Sequence, residues 1–429
     1  MGTTYVISGA VSGYSLTAGE TMIVVSGGAA TGTVVSGGGV QDVDAGRTIH
    51  TVVSSGGIET VSAAGVASST LVDAGGSAAV LGRAIGMHVV SGGVATVFAG
   101  GVASGLSLDG GVVTLSGGTA SGTVMSGGSL AVDSGGVDIG TVIHAGGTET
   151  ISAGGTARLT LVGSHSVEVV LAGGVSSDTT LNPLGSAAVY GSAISMTISA
   201  GAVATVFSGG AARDTLVDSG GLAVVGSGAE SFDTLIGDHG SAMISGGTGY
   251  FTTVGKGGAE TVSAGTAYFT TLQAGGKQIV DGGTTSDTLI GSGGTQVVSA
   301  GLAAGSDVLS GGTMLVRGVG ALDAAVQSGG TVYVSGGGLS EAAGLSGGTQ
   351  YILAGGEGLD TGVLSGGNEY VLAGGLTENS VVLAGGTETV LGSGLAEYLS
   401  VDAGGVAVVS SGGLVFETSV LAGGTVYAL

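Results

Sequence analysis

One spacing rule constrains this chain more than any other feature. In the stretch TVIHAGGTETISAGGTA, from Thr141 to Ala157, a large aliphatic, Ile151, stands four residues after Gly147, the second residue of a Gly-Gly turn. The same rule picks out Val24, Val43, Val61, Val80 and their successors through to Val262, Val390 and Val409, with consecutive members 17 to 19 residues apart. Roughly 22 copies in one unbroken period are the signature of a solenoid, in which each repeat is one coil. A second column runs with the first: Thr33, Thr51, Thr70, Thr123, Thr141, Thr160, Thr180, Thr197, Thr215, Thr234, Thr253, Thr271 and Thr288, each followed by Val, Leu or Ile. Two columns in step imply stacked, equivalent coils.

The content of a coil decides its secondary structure. Glycine recurs every few residues among 97 in total, and each would cost a helix about 1 kcal/mol relative to alanine. Runs such as TVVSGG, LVDAGG and YVLAGG instead place three or four β-favouring residues before glycines that tolerate positive φ. About 18 residues hold three such strands and three corners. The expected fold is therefore all-β, a right-handed single-stranded parallel β-helix of about 22 coils with 17–20 residues per coil, the hand following that of parallel crossovers. A lone coil would bury three or four aliphatics at about 1.5 to 3 kcal/mol each, against roughly 1 kcal/mol of backbone entropy for every residue it orders. Only stacking makes it stable.

Residues 1–11 match the unit poorly and are expected to cap the first coil. Residues 12–429 form the repeat domain, which shows no C-terminal cap and is expected to continue past Leu429. The weakest copies are LVGSHSVEVV (Leu161 to Val170) and LNPLGSAAVY (Leu181 to Tyr190), the latter holding the sole proline; a bulge or loop is expected there.

Composition narrows the function. The formal charge of -23, from 30 acidic and 7 basic residues, disfavours nucleic acid. Gly-Gly interrupts every apolar run well short of the roughly 18 residues of a membrane helix, so no membrane span is expected. There is no cysteine for a disulfide or thiolate site, and the first 20 residues lack the basic start and apolar core of a secretory signal. No cofactor, metal site or catalytic residue is expected. Asp73, Asp109, Asp133, Asp218 and Asp402 each precede a turn, so they are spread along the stack as solvated turn residues. The arginines, Arg47, Arg83, Arg158, Arg213 and Arg317, are scattered. Calcium-binding nonapeptides are missing, and the position two residues before the threonine column carries Arg, Asp or Phe in six copies, which removes the double threonine array of an ice-binding face.

Two features remain as candidate sites. Tyr333, Tyr351 and Tyr370 share one register, a residue before the inward aliphatic, so alternation turns them outward as a candidate glycan-contact strip or as a cross-coil stack that stabilises the coils. Phe232, Phe251 and Phe269 share another register, read as core or corner packing. The most frequent turn is Ser-Gly-Gly, in which serine is a good turn former and an exposed, regularly spaced hydroxyl. Ser36, Ser91, Ser126, Ser245, Ser310 and Ser365 are the candidate O-glycosylation sites.

The phrases TVMSGGSLAVDSGG and TVIHAGGTETISAGGTA resemble the repeats of AIDA-type autotransporter adhesin passengers, and also the repeat arrays of Hint-domain surface proteins of acetic acid bacteria, over residues 12 to 429. The resemblance implies a non-enzymatic, surface-exposed or secreted protein of a Gram-negative bacterium that mediates adhesion, self-association, auto-aggregation and biofilm formation. Its implied partners are other copies of itself, cell-surface glycans or matrix, and a heptosyltransferase acting on serine and threonine. The alternatives are a polysaccharide-binding or polysaccharide-acting β-helix, and an inert spacer.

Overall fold

A computed structural model of the chain describes residues 2–318 and 320–429; Met1, in the expected cap, lies outside them. Every described element is a β-strand, and the strands stack in parallel as a β-solenoid of about 24 turns, close to the expected 22. The chain divides into two compact units, Met1–Thr215 and Leu216–Leu429.

In the first unit a coil is exemplified by three strands, Thr148–Ile151, Thr156–Arg158 and Leu161–Val162. Each pairs with its equivalent one coil on, Thr148 with Val167, Thr156 with Val175 and Leu161 with Thr180. Side chains alternate, so Glu149 and Ile151 point inward while Thr148 and Thr150 remain half-buried on the outside. The segment expected as a cap keeps this geometry: Thr3–Ile7 pairs in parallel with Glu20–Val24.

The second unit repeats the scheme, for instance in Thr349–Ile352, Glu357–Leu359 and Gly362–Val363. In four of its coils the first two strands fuse into ten-residue strands, Ser241–Tyr250, Ala259–Tyr268, Lys277–Ser286 and Thr295–Ala304. The bulges lie at these fused corners, as between Ile244 and Ser245. None forms around His165 or Pro183, where the neighbouring strands stay in step on both sides. There the non-glycine residues His165 and Leu184 simply adopt φ of 59° and 64° in the turn.

The aliphatic column forms the core. Val61, Val262 and Val390 have no exposed surface, and of the whole column only Val409 is partly exposed. The Gly-Gly turns have two distinct causes. The first glycine, such as Gly154 with φ of 77°, occupies the left-handed region. The second faces inward against the coil before it, and a Cβ on Gly155 would lie 2.2 Å from the carbonyl oxygen of Val132.

The threonine column needs one correction. Thr33, Thr51, Thr70, Thr123, Thr141, Thr160, Thr215, Thr234 and Thr288 point inward as expected, but Thr180, Thr197, Thr253 and Thr271 are half-buried on the outside. Their inward neighbours are Thr179, Met196, Thr252 and Thr270. In three of those copies two threonines adjoin, at 179–180, 252–253 and 270–271, and spacing alone does not say which one alternation turns inward.

Candidate functional site

Inside the coils, two residues before each core aliphatic, runs a second inward column. It is apolar in many coils, as at Met22, Ala95, Leu130 and Val332, but polar at Gln41, Glu59, Glu149, Glu168, Glu260, Gln278, Gln296, Gln350, Glu369 and Glu388, all essentially without exposed surface. Hydroxyls eleven residues away supply donors. Thr48 and Thr70 donate to the two oxygens of Glu59 at 3.1 and 2.9 Å, and Thr160 donates to Glu149 at 3.0 Å. Ser380 donates to Glu369 at 3.0 Å. Glutamines extend the chain of bonds along the stack: the amide of Gln278 donates to Glu260, and that of Gln296 to Gln278, both at 2.8 Å.

No described cation accompanies these carboxyls, and burial favours their neutral form. Burial pushes Glu168 up to about 7 against the hydroxyls of Ser176 and Thr179, which pull the other way. Burial likewise raises Glu369 to about 7, opposed by Ser380, Gln350 and Thr361. Glu149 lies well above the usual range through burial and then the negative charges of Asp138 and Glu168. Glu388 does so through burial and Glu369. Asp138, bonded to Thr141, is raised by burial, as are Glu59 and Glu260. Several carboxyl oxygens, including Glu149 Oε1, Glu168 Oε2 and Glu388 Oε2, have no partner. These residues hold the stack together from within and have no route to a ligand.

The outer surface presents the candidates. Tyr333, Tyr351 and Tyr370 do form one ladder, each paired with the next across adjacent coils. Their centroids are 5.1 Å apart at both steps, with ring planes within 13° of parallel. The ring faces are therefore turned onto one another, and the ladder offers solvent its edges and hydroxyls. The phenylalanines group differently from the sequence expectation. Phe232 pairs with Tyr250 and, one coil on, Tyr268, stacking at 4.9 and 5.4 Å. Phe251 and Phe269 stack at 5.2 Å one position later, at an exposed corner with φ of 56° and 57°.

The serine candidates occupy two corners. Ser126 ends the short third strand of its coil, and Ser36, Ser91, Ser310 and Ser365 lie one or two residues past theirs, whereas Ser245 lies within Ser241–Tyr250, directly after the core aliphatic Ile244. All are exposed except Ser36, which is half-buried. Of the aspartates, Asp73, Asp109, Asp218 and Asp402 share the first corner and Asp133 lies at the second. Asp73 and Asp218 each accept a bond from the next backbone amide, at 2.8 and 2.7 Å, the turn-forming role expected of them. Among the described residues no group of three or more histidine, aspartate or glutamate side chains is arranged to hold a metal ion, and no helix is long and apolar enough to cross a membrane.

Sequence reasoning missed the corner between the second and third strands. It takes positive φ in coil after coil, at glycine in some, such as Gly32, Gly105 and Gly140, and at aspartate or asparagine in others: Asp178, Asp214, Asp233, Asp287, Asp323, Asp360 and Asn379. These are the residue types that best tolerate the left-handed region, which was the available signal.

No family model matches the chain, and no curated protein matches it. Among solved structures it is similar to a hyper-glycosylated fragment of TibA, glycosylated by TibC, with 28% identity and a TM-score of 0.37 over 70% of this chain and 92% of that one. It is also similar to the Dettilon tailspike protein, with 11% identity and a TM-score of 0.16 over 73% of this chain and 62% of that one. A tailspike protein of E. coli bacteriophage HK620 in complex with pentasaccharide matches with 12% identity and a TM-score of 0.14, over 84% of this chain and 72% of that one.

Proposed function

We propose that the chain is the repeat region of a non-enzymatic adhesin, exported to the surface of a Gram-negative bacterium or secreted from it, that acts by self-association. The observation carrying this reading is the repetition of the outer surface: each coil presents the same corners and outward strand positions as the next, in register. A weak contact made by one coil is then available to its neighbours, and contacts along two molecules side by side sum to avidity without any single strong site. The exposed hydroxyls of Ser91, Ser126, Ser245, Ser310 and Ser365 suit modification by a heptosyltransferase, which would add polar bulk without disturbing the core.

Cell settling tests the reading. Bacteria displaying the chain should clump, and deletion of the repeats should abolish clumping; equal clumping without them refutes it. A second reading, a β-helix that binds polysaccharide, is favoured by the outward Tyr333, Tyr351 and Tyr370 ladder. Loss of glycan binding on Tyr351→Ala, with self-association intact, would give it precedence.

A further inference from the structure

The outward tyrosines do not stand alone. Their column continues through Leu315, Val297 and Ile279, each paired with the next across one coil. A parallel column of hydroxyls, Thr295, Thr313, Thr331 and Thr349, lies two residues before it. Around Val297 and Leu315 the surface sinks into a groove of about 430 Å3, with Lys277 on one flank and Arg317 on the other. Both side chains are exposed.

The charge at this place runs against the rest of the molecule. The chain has 30 acidic and 7 basic residues, yet the outward positions of the strands Thr295–Ala304 (its first four residues), Thr313–Val316, Thr331–Val334, Thr349–Ile352 and Asn368–Val371 carry no carboxylate. Lys277 and Arg317 make no ion pair among the described residues. Beyond the cations the tyrosine ladder turns its edges outward, the electropositive side of an aromatic ring, and adds a phenolic donor at each step of 5.1 Å.

We infer that this face binds an acidic polysaccharide, with carboxylates of its sugars at Lys277 and Arg317 and its hydroxyls on the threonine column and the Tyr333, Tyr351 and Tyr370 phenols. The argument is charge complementarity combined with hydroxyl spacing. A groove with two free cations selects an anion. Rows of hydroxyls repeating once per coil select a polyhydroxylated chain laid along the stacking direction, about 25 Å from the coil of Lys277 to that of Tyr370 at roughly 4.8 Å per coil. This inference deepens the polysaccharide-binding reading of the tyrosine ladder and rests on it, while self-association is tested separately.

The test is calorimetric titration of the whole chain with oligogalacturonate and, separately, with uncharged dextran, for the wild type, K277Q/R317Q and Y351F. Oligogalacturonate should bind and dextran should not. K277Q/R317Q should raise Kd about tenfold or more, the cost of at least one charge-assisted hydrogen bond, and Y351F, which keeps the ring stack, should raise it severalfold. Absence of oligogalacturonate binding, equal binding of dextran, or binding unchanged in K277Q/R317Q each overturns the inference. If binding fails while cells displaying the chain still clump, the adhesin reading stands and only the ligand assignment falls; if binding holds and clumping does not depend on the chain, the reverse is true.

Discussion

Substitution of Glu168 by glutamine should make the first unit more stable at pH 8, and by much less, under about 1 kcal/mol, at pH 5. Glu168 is fully buried and is held at about 7, against an ordinary 4.5. The sign follows from proton counting. Below about 4.5 the carboxyl is protonated in both folded and unfolded chains, so its contribution is fully present. As pH rises from there towards 7, the unfolded chain releases the proton while the folded one keeps it, and stability falls. The elevation is worth about 3 kcal/mol once pH exceeds 7, at about 1.4 kcal/mol per tenfold. An amide at this position has no charge to desolvate. A solenoid need not unfold in one step, so the readout is hydrogen exchange of the Val167–Val170 amides, wild type against E168Q at the same pH, which cancels the intrinsic pH dependence of exchange. E230Q, which removes an exposed carboxylate, controls for the general relief of negative charge. The reasoning is refuted if E168Q gains no more protection at pH 8 than at pH 5, or no more than E230Q does.

Other outcomes follow from the same geometry. Gly155→Ala should destabilise its coil more than Gly154→Ala: the former drives a Cβ to within 2.2 Å of the Val132 carbonyl oxygen, whereas the latter incurs left-handed backbone strain of about 1 to 2 kcal/mol; thermal unfolding by circular dichroism ranks the pair. Ile151→Ala should cost about 2 to 5 kcal/mol by leaving a cavity in the spine, read as lost exchange protection in Thr148–Ile151 and its neighbours. Phe251→Asp exchanges an exposed stack on Phe269 for a residue type the same corner uses at Asp233 and Asp287, and should change stability by no more than about 1 kcal/mol.

The fold was legible because the core aliphatics mark each coil and the paired glycines mark the corners, two signals with one period. Alternation was used less fully than it allowed. Once Ile151 is inward, Glu149 must be inward too, since residues two apart share a face; the motifs IETV, TETI and AETV therefore announced buried carboxyls. What hid them was the expectation that glutamate is solvated, true for isolated residues and overridden here by hydroxyls that the coil places ten or eleven residues away. The Phe232, Tyr250 and Tyr268 ladder was misaligned for another reason. Phe and Tyr adjoin at 250–251 and 268–269, so period alone fits either member, and only the pairing decides. Nothing periodic marks the Lys277 and Arg317 groove, because it arises where two unrelated coils each depart from the common sequence.

The buried polar column also bears on how near-identical coils find their order. Valine columns cannot distinguish one coil from the next, so a slip by a whole coil costs the apolar spine little. The polar column can. Glu260, Gln278 and Gln296 are matched to Thr270, Thr288 and Ser306 in successive coils, while the coil at Met314 presents Ala321 and Ala324 instead. A slip of one coil there leaves Gln296 facing alanine and its Oε1 without the Ser306 donor, at about 1 to 3 kcal/mol for each buried polar group stranded. Replacing the six residues by alanine should therefore leave the refolded chain near its original stability, since a satisfied polar network and an apolar one differ little, but should produce several strand registers on refolding in place of one. Hydrogen exchange that separates into multiple isotopic envelopes over 241–334 in the variant is the expected signature. A single envelope identical to that of the wild type would assign register to the corners alone.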